Sequence, residues 1–168
     1  MRATAALPLL LLLSVLAGSA QASETSIPDA LIAAGEKLVL TLHAEGAQVY
    51  ECKTGKDGKL AWAFREPIAT LFEDGKTVGR HYAGPNWEHQ DGSMVTGRVV
   101  GSSIGGTDND ILWLKLEATA HKGNGILANI STVQRLNTKG GQLEGGCDTA
   151  STYRSVAYSA DYLFLRKE

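Results

Sequence analysis

Three Asp-Gly pairs punctuate the first half of the chain, and they recur every 17 residues, at Asp57-Gly58, Asp74-Gly75 and Asp91-Gly92. An Asp-Gly pair accepts the positive backbone φ angles that tight hairpin turns require, so each pair predicts a turn between antiparallel strands. The spacing therefore favours a sheet of successive short hairpins. It also favours Asp91 as a turn residue rather than a catalytic carboxylate, because the other two pairs have the same turn chemistry.

Short runs rich in β-branched and aromatic residues lie between and after these turns. In one of them Leu112, Leu114 and Leu116 alternate with more polar residues, which is the period of a strand with one apolar face. One short helical turn is predicted over residues 28–34. We predict strands over residues 37–44, 47–53, 60–65, 77–83, 93–101, 111–119, 126–136 and 156–165. The expected fold is all-β, a single-domain antiparallel β-sandwich or barrel with short hairpins.

The first 22 residues have the pattern of a signal peptide. Arg2 precedes an apolar run over residues 7–18, and Ala20-Gln21-Ala22 supplies the small residues that a signal peptidase reads. A bilayer span needs roughly 20 apolar residues, so this run is too short to be a membrane anchor. We expect residues 1–22 to be cleaved and residues 23–168 to form one β domain. That domain is predicted to be periplasmic or secreted, with no membrane insertion after cleavage.

Cys52 and Cys147 are the only two cysteines of the chain. In an oxidising compartment a lone pair most simply forms one disulfide, and the C-x-x-C spacing of redox or metal-binding pairs is absent. We therefore predict a bridge between them. It would close a long loop, for which chain entropy gives a stabilisation of about 4–5 kcal/mol.

Composition and motifs argue against several classes of function. The 16 Lys and Arg residues are scattered and are balanced by 18 Asp and Glu residues, so nucleic acid is not an expected partner. The sequence contains no H-x-x-x-H or H-x-H pair, and Ser93 follows Asp-Gly in a predicted turn rather than at the strand-to-helix corner of a nucleophile elbow. We accordingly assign no catalytic residue, no metal ligand and no cofactor.

The segment over residues 81–95, HYAGPNWEHQDGSMV, and the later QRLN at 134–137 combine aromatic rings with amides and charged groups. Flat aromatic faces beside hydrogen-bonding groups are typical of sites for a small polar molecule or a sugar. We predict eight ligand-binding side chains: His81, Tyr82, Asn86, Trp87, Glu88, Gln134, Arg135 and Asn137. Because Trp and Tyr in strands mostly fill cores, Trp87 remains open between a buried and an exposed position.

Two hypotheses of function follow. The leading one is a non-enzymatic exported β domain that binds a small polar or glycan-like ligand or an envelope protein. The alternative is a hydrolase or metal-dependent enzyme that uses His81 and His89 with Glu88 and Asp91.

Several ordered segments together resemble a secreted bacterial and fungal family, the domain of unknown function 3455. They are AQVYEC, WAFREPIATLF, GRHYAGPNWEHQDGSMVTG, ILWLKLEA, GNGILANISTVQRLNTKGG, GCDTA and YSADYLFL. The likeness runs from about Gly46 to Phe164, and Cys52 and Cys147 match the cysteines of that family's Tyr-x-Cys and Gly-Cys-Asp segments. The resemblance therefore supports the disulfide, and it implies no catalytic residue.

Overall fold

The structure is a computed structural model that describes residues 27–168, so the predicted signal peptide lies outside the described residues. A 3-10 helix, Asp29–Leu31, forms the helical turn expected from the sequence. Within residues 27–168, no helix has the length and apolar character needed to cross a membrane. The strands are β1 Glu36–Thr54, β2 Leu60–Glu73, β3 Lys76–Tyr82, β4 Asn86–His89, β5 Met94–Ser103, β6 Trp113–Lys122, β7 Thr132–Gly140 and β8 Tyr153–Lys167.

Each strand pairs antiparallel with the next one along the chain, and β8 pairs with β1 to close the ring. The all-β antiparallel fold is thus confirmed, and of the two architectures left open by the sequence it is the barrel. Closure leaves no unpaired sheet edge along the ring. Eight strands enclose a space that side chains can just fill or that can hold one small ligand.

The predicted turn chemistry is confirmed at all three Asp-Gly pairs. Asp74 and Gly75 join β2 to β3 with φ angles of 49° and 74°, and a two-residue turn of the hairpin type needs both to be positive. Gly58 and Gly92 also have positive φ, at 79° and 84°.

The strand boundaries differ from the prediction in several places. β2 continues to Glu73, well beyond its predicted end at residue 65. β1 runs without a break through two predicted strands, with a register shift between Val49 and Tyr50. β4 was not predicted, because its four residues are mostly polar. Residues 126–131 form a loop rather than the start of a strand. Their apolar character has another cause, since Leu127 and Ile130 are buried in the core from that loop.

The order of the strands gives the barrel two different ends. Turns and loops 74–75, 90–93 and 123–131 lie at one end, which we call the closed end. Loops 55–59, 83–85, 104–112 and 141–152 lie at the other, which we call the open end. Apolar side chains fill the barrel near the closed end and have no exposed surface: Leu42, Leu71, Val95, Leu127, Val133 and Phe164.

The predicted disulfide between Cys52 and Cys147 is present. Cys52 belongs to β1 and is buried, whereas Cys147 belongs to the loop 141–152 at the open end. The bridge therefore fastens this long loop to the barrel wall.

Candidate functional site

A cavity of about 630 Å³ occupies the half of the barrel nearer the open end. All of its loop residues come from the open end, among them Pro85, Leu112 and Leu143. The volume falls within the range of roughly 300–1,000 Å³ that is usual for small-molecule sites. His81, Trp87 and Arg135, three of the eight predicted residues, line this one cavity.

Three clustered aromatic side chains lie deep in the cavity, two of them stacked on each other. His81 and Trp87 face each other across the β3–β4 pair, with ring centroids 4.6 Å apart and an interplanar angle of 11°. The Tyr162 ring from β8 lies 5.0 Å from His81 and 5.4 Å from Trp87. None of the three is more than 3% exposed. Trp87 is therefore a buried residue that also contributes to the cavity wall.

The His81 ring is held in its neutral form. Burial lowers its pKa to about 3, against the raising effect of the hydrogen bond to the Asn86 backbone and with a further lowering by the charge of Arg135. Nδ1 lies 2.8 Å from the Asn86 carbonyl oxygen, which can only accept, so Nδ1 carries the proton and Nε2 the lone pair. The cavity thus contains a neutral imidazole at physiological pH.

We expect His81 to make the stability of the barrel depend on pH. Its native pKa of about 3 is below the ordinary 6.5, so between these values the unfolded chain binds a proton that the native chain excludes. The stability that follows from this difference is fully present above pH 6.5. As the pH falls from 8 to 5, the free energy of unfolding decreases by about 2 kcal/mol. Urea unfolding across this range should be less steeply pH-dependent in His81→Phe. An unchanged dependence in that variant would contradict the assignment.

Two buried donors in the cavity wall lack hydrogen-bond partners. Gln48 and Trp87 are 2% and 1% exposed, and neither Gln48 Nε2 nor Trp87 Nε1 has a partner within residues 27–168. Trp113 Nε1 is also unpaired there, but Trp113 does not line the cavity. A buried donor without an acceptor costs about 1–3 kcal/mol, and neither nitrogen has appreciable surface open to the cavity, so both are buried behind its wall.

Arg135 brings a positive charge to the same cavity. It lies opposite Tyr162 in the β7–β8 pair, and its Nε and Nη2 donate to the Leu112 carbonyl oxygen over 3.0 and 2.8 Å. In the part of the chain that the structure describes, no carboxylate forms an ion pair with it. The guanidinium is therefore positioned by a neutral carbonyl and keeps its full charge.

Three predicted site residues lie on the outer face of the β3–β4 hairpin. The Glu88 carboxylate accepts hydrogen bonds from Arg80 over 2.8 Å and from the Tyr82 hydroxyl over 3.1 Å. Asn86 accepts a hydrogen bond of 2.6 Å from the Thr96 hydroxyl. Alternation along the strand puts these side chains on the face opposite to His81 and Trp87, so the structure does not bring them into the cavity.

Gln134 and Asn137 also lie away from the cavity. Gln134 is buried beneath the 3-10 helix, where its Nε2 donates to the Leu31 carbonyl oxygen over 2.6 Å. Asn137 has a φ angle of 51° and donates to the Asp161 carboxylate over 2.9 Å. Both side chains make contacts that serve the architecture of the barrel.

The structure does not assemble the four residues of the alternative enzyme site. Asp91 accepts hydrogen bonds from Ser93 and from the backbone of Ile126, which ties two closed-end loops together. Desolvation acts to raise the pKa of Asp91, but these bonds outweigh it and hold that pKa well below its usual range. His89 contacts Asp91 at 3.1 Å, whereas Glu88 faces outward. Across residues 27–168, no group of three or more His, Cys, Asp or Glu side chains is placed to hold a metal ion.

Several residues that line the cavity were not among the eight predicted site residues, above all Gln48, Tyr50 and Tyr162. The Tyr50 hydroxyl donates to the Gly141 carbonyl oxygen over 2.7 Å, so this ring contacts the start of the loop 141–152. Strand alternation could have indicated Gln48 and Tyr50. These two residues and the buried Cys52 are spaced two residues apart, so they lie on one face of β1.

A family model described as "Protein of unknown function (DUF3455)" matches residues 33–166. No curated protein and no solved structure matches the chain. The matched range includes every residue that lines the cavity, so the barrel interior belongs to the region that the family shares.

Proposed function

The chain belongs to the family of proteins of unknown function DUF3455, and we propose that its barrel is an exported, non-enzymatic module that binds a small polar or glycan-like molecule in the open-end cavity. One observation carries this proposal. The barrel contains an open-ended cavity of about 630 Å³ whose lining combines aromatic rings with the guanidinium of Arg135 and with amide side chains.

A cavity of this volume with a few polar groups in a largely apolar lining is typical of small-molecule sites. The clustered rings of His81, Trp87 and Tyr162 form its deep wall, and Arg135 provides N–H donors for an acceptor on a bound molecule.

The chemistry of the cavity supports binding over catalysis. A general base or acid works best when its pKa is near the operating pH, and the pKa of His81 is about 3. Glu144, the carboxylate in the lining, accepts a hydrogen bond of 2.8 Å from Gln142 near the mouth. The cavity therefore contains binding groups without a matched acid and base.

Export belongs to the proposal and is supported by the disulfide. Disulfides persist in oxidising compartments and are rare in the cytosol, so the Cys52–Cys147 bridge fits a mature chain that acts outside the cytoplasm.

The test is to block the cavity with a larger side chain. Leu114 lines the cavity, whereas Glu117 on the same strand is exposed and pairs with Arg98 on the outer face. We expect Leu114→Trp to weaken binding of the neutral fluorophore N-phenyl-1-naphthylamine by about tenfold or more, equivalent to about 1.4 kcal/mol. Glu117→Trp should leave the affinity within about twofold. Fluorescence titration measures both.

Ala83→Leu in the loop between β3 and β4 narrows the same mouth and serves if Leu114→Trp does not fold. Circular dichroism should show that the compared variants retain the barrel. Equal affinity in the blocked variants and in Glu117→Trp would mean that the fluorophore binds outside the cavity, and the proposed function would then be rejected.

A further inference from the structure

We infer that the molecule bound in this cavity carries a carboxylate, which pairs with the guanidinium of Arg135 while an apolar body extends toward the mouth. This inference rests on the binding cavity of the proposed function and assigns to it an amphipathic ligand with one carboxylate in place of a glycan-like one. Its central observation is an arginine that lines the cavity and has no carboxylate partner within residues 27–168.

Burial raises the pKa of the Tyr162 hydroxyl and a hydrogen bond from Arg135 acts to lower it, so Arg135 contacts Tyr162 as well as the Leu112 carbonyl oxygen. An arginine has five N–H donors, and one N–H from Nε and one from Nη2 are directed at the Leu112 carbonyl oxygen. The two parallel N–H groups at the end of the guanidinium, one from each Nη, are not used by that contact. This edge matches the two oxygens of a carboxylate in a bidentate pair.

The charge of Arg135 reaches the aromatic side chains of the cavity. Its field acts on Tyr162 and lowers the pKa of that hydroxyl, against the larger raising effect of burial. Because His81 is neutral, it contributes no competing positive charge in the same space. At the mouth, Arg65 is paired with Glu66 at 3.1 Å, so its charge is already compensated within the protein.

The set of donors fits a monoanion with few oxygens. Among residues 27–168, the cavity lining contains no lysine, and its other cation, Arg65, is paired with Glu66. A phosphate group has three acceptor oxygens and up to two charges, and its sites usually combine several cations or a set of backbone N–H groups. One arginine without an ion-pair partner therefore favours a carboxylate.

Apolar side chains form part of the mouth, beside Arg65, Gln142 and Glu144, and they indicate the chemistry of the rest of the ligand. Phe64, Val99 and Leu112 line the cavity and are 54%, 48% and 46% exposed. An apolar body placed against these side chains removes their surface from water, at roughly 25 cal/mol per Å² of apolar area. The ligand class is thus a carboxylic acid with an aliphatic or aromatic body.

The experiment compares decanoate with 1-decanol, which share a ten-carbon chain and differ in the carboxylate. Each is titrated at pH 7.5 and low salt to displace N-phenyl-1-naphthylamine. We expect the wild type to bind decanoate about tenfold or more tightly than decanol. Arg135→Met should reduce this ratio to about one and leave decanol affinity within about threefold.

Arg98→Met is the matched control, because Arg98 pairs with Glu117 on the outer face, and it should keep the wild-type ratio. Arg135→Lys should give an intermediate ratio, since an ammonium retains the charge without the fork. Arg135→Gln replaces Arg135→Met if the latter does not fold.

The outcomes separate the two proposals. Equal affinity of the wild type for decanoate and decanol would overturn the carboxylate and leave the binding module standing. A preference for decanoate that survives in Arg135→Met and Arg135→Gln would likewise overturn the role of Arg135. If neither compound displaces the fluorophore and Leu114→Trp does not weaken its binding, the proposed function itself fails.

Discussion

Trp87→Ala should lower the free energy of unfolding by about 3–5 kcal/mol, because the indole is an integral part of the core. Trp87 is 1% exposed, stacks on His81 and makes edge contacts with Tyr162 and with Phe164, whose centroid is 6.2 Å away. A Cβ at Gly97 would lie 3.1 Å from Trp87 Cζ3, so the absent side chain there makes room for the ring. Alanine would leave a void that rigid strands cannot close.

Urea unfolding monitored by circular dichroism measures this loss. Trp113→Ala is the matched control, since Trp113 is half-buried and does not line the cavity, and its loss should be smaller. Trp87→Phe keeps most of the apolar surface, so it should be less destabilising than alanine. A loss below about 1 kcal/mol in Trp87→Ala would contradict the burial of the ring.

Trp87 combines two roles that the prediction from sequence gave as alternatives. A tryptophan in a polar segment is expected either to fill the core or to bind a ligand from the surface. In a barrel whose core fills only the half near the closed end, a side chain at the boundary does both. Trp87 packs against Phe164 toward the closed end and lines the cavity on its other side.

The features that the sequence predicted correctly depend on neighbours along the chain. Asp74-Gly75 forms a tight turn because two adjacent residues accept positive φ, whatever the rest of the fold does. The apolar positions Leu114 and Leu116 follow from the pleat of β6, whereas Leu112 lies in the preceding loop. The disulfide joins residues that are distant in sequence, and it could be predicted because Cys52 and Cys147 are the only two cysteines.

Which side chains form the site could not be predicted from any single segment of the sequence. Asn86, Trp87 and Glu88 are adjacent in sequence, but the pleat sends Trp87 inward and the other two outward. A one-residue change of register would exchange these faces, and only pairing with β3 and β5 fixes it. Gln48 and Tyr162 come from β1 and β8, so strand closure rather than sequence proximity brings them to Trp87.

The second large effect is expected at the disulfide. Removing the bridge with Cys147→Ala, or with alanine at both cysteines, should destabilise the barrel by about 4–5 kcal/mol. The bridge joins residues 95 positions apart, so its loss releases a long loop in the unfolded chain. Because the two variants remove the same cross-link, their losses should agree to within about 1 kcal/mol, and urea unfolding compares them with the oxidised wild type.

The same bridge should also affect the cavity, because it anchors the loop 141–152 that provides Gln142, Leu143 and Glu144 to the mouth. The remaining ties of this loop to the barrel include backbone hydrogen bonds such as Trp62 N to Gly145 O at 3.1 Å. Below their unfolding transition, the bridge-free variants should therefore bind N-phenyl-1-naphthylamine more weakly than the wild type.

Mass analysis of exported wild-type protein without reductant should show a chain that begins at Ser23 and has no free thiol. Two free thiols in such protein, with wild-type stability, would contradict the bridge as a structural element.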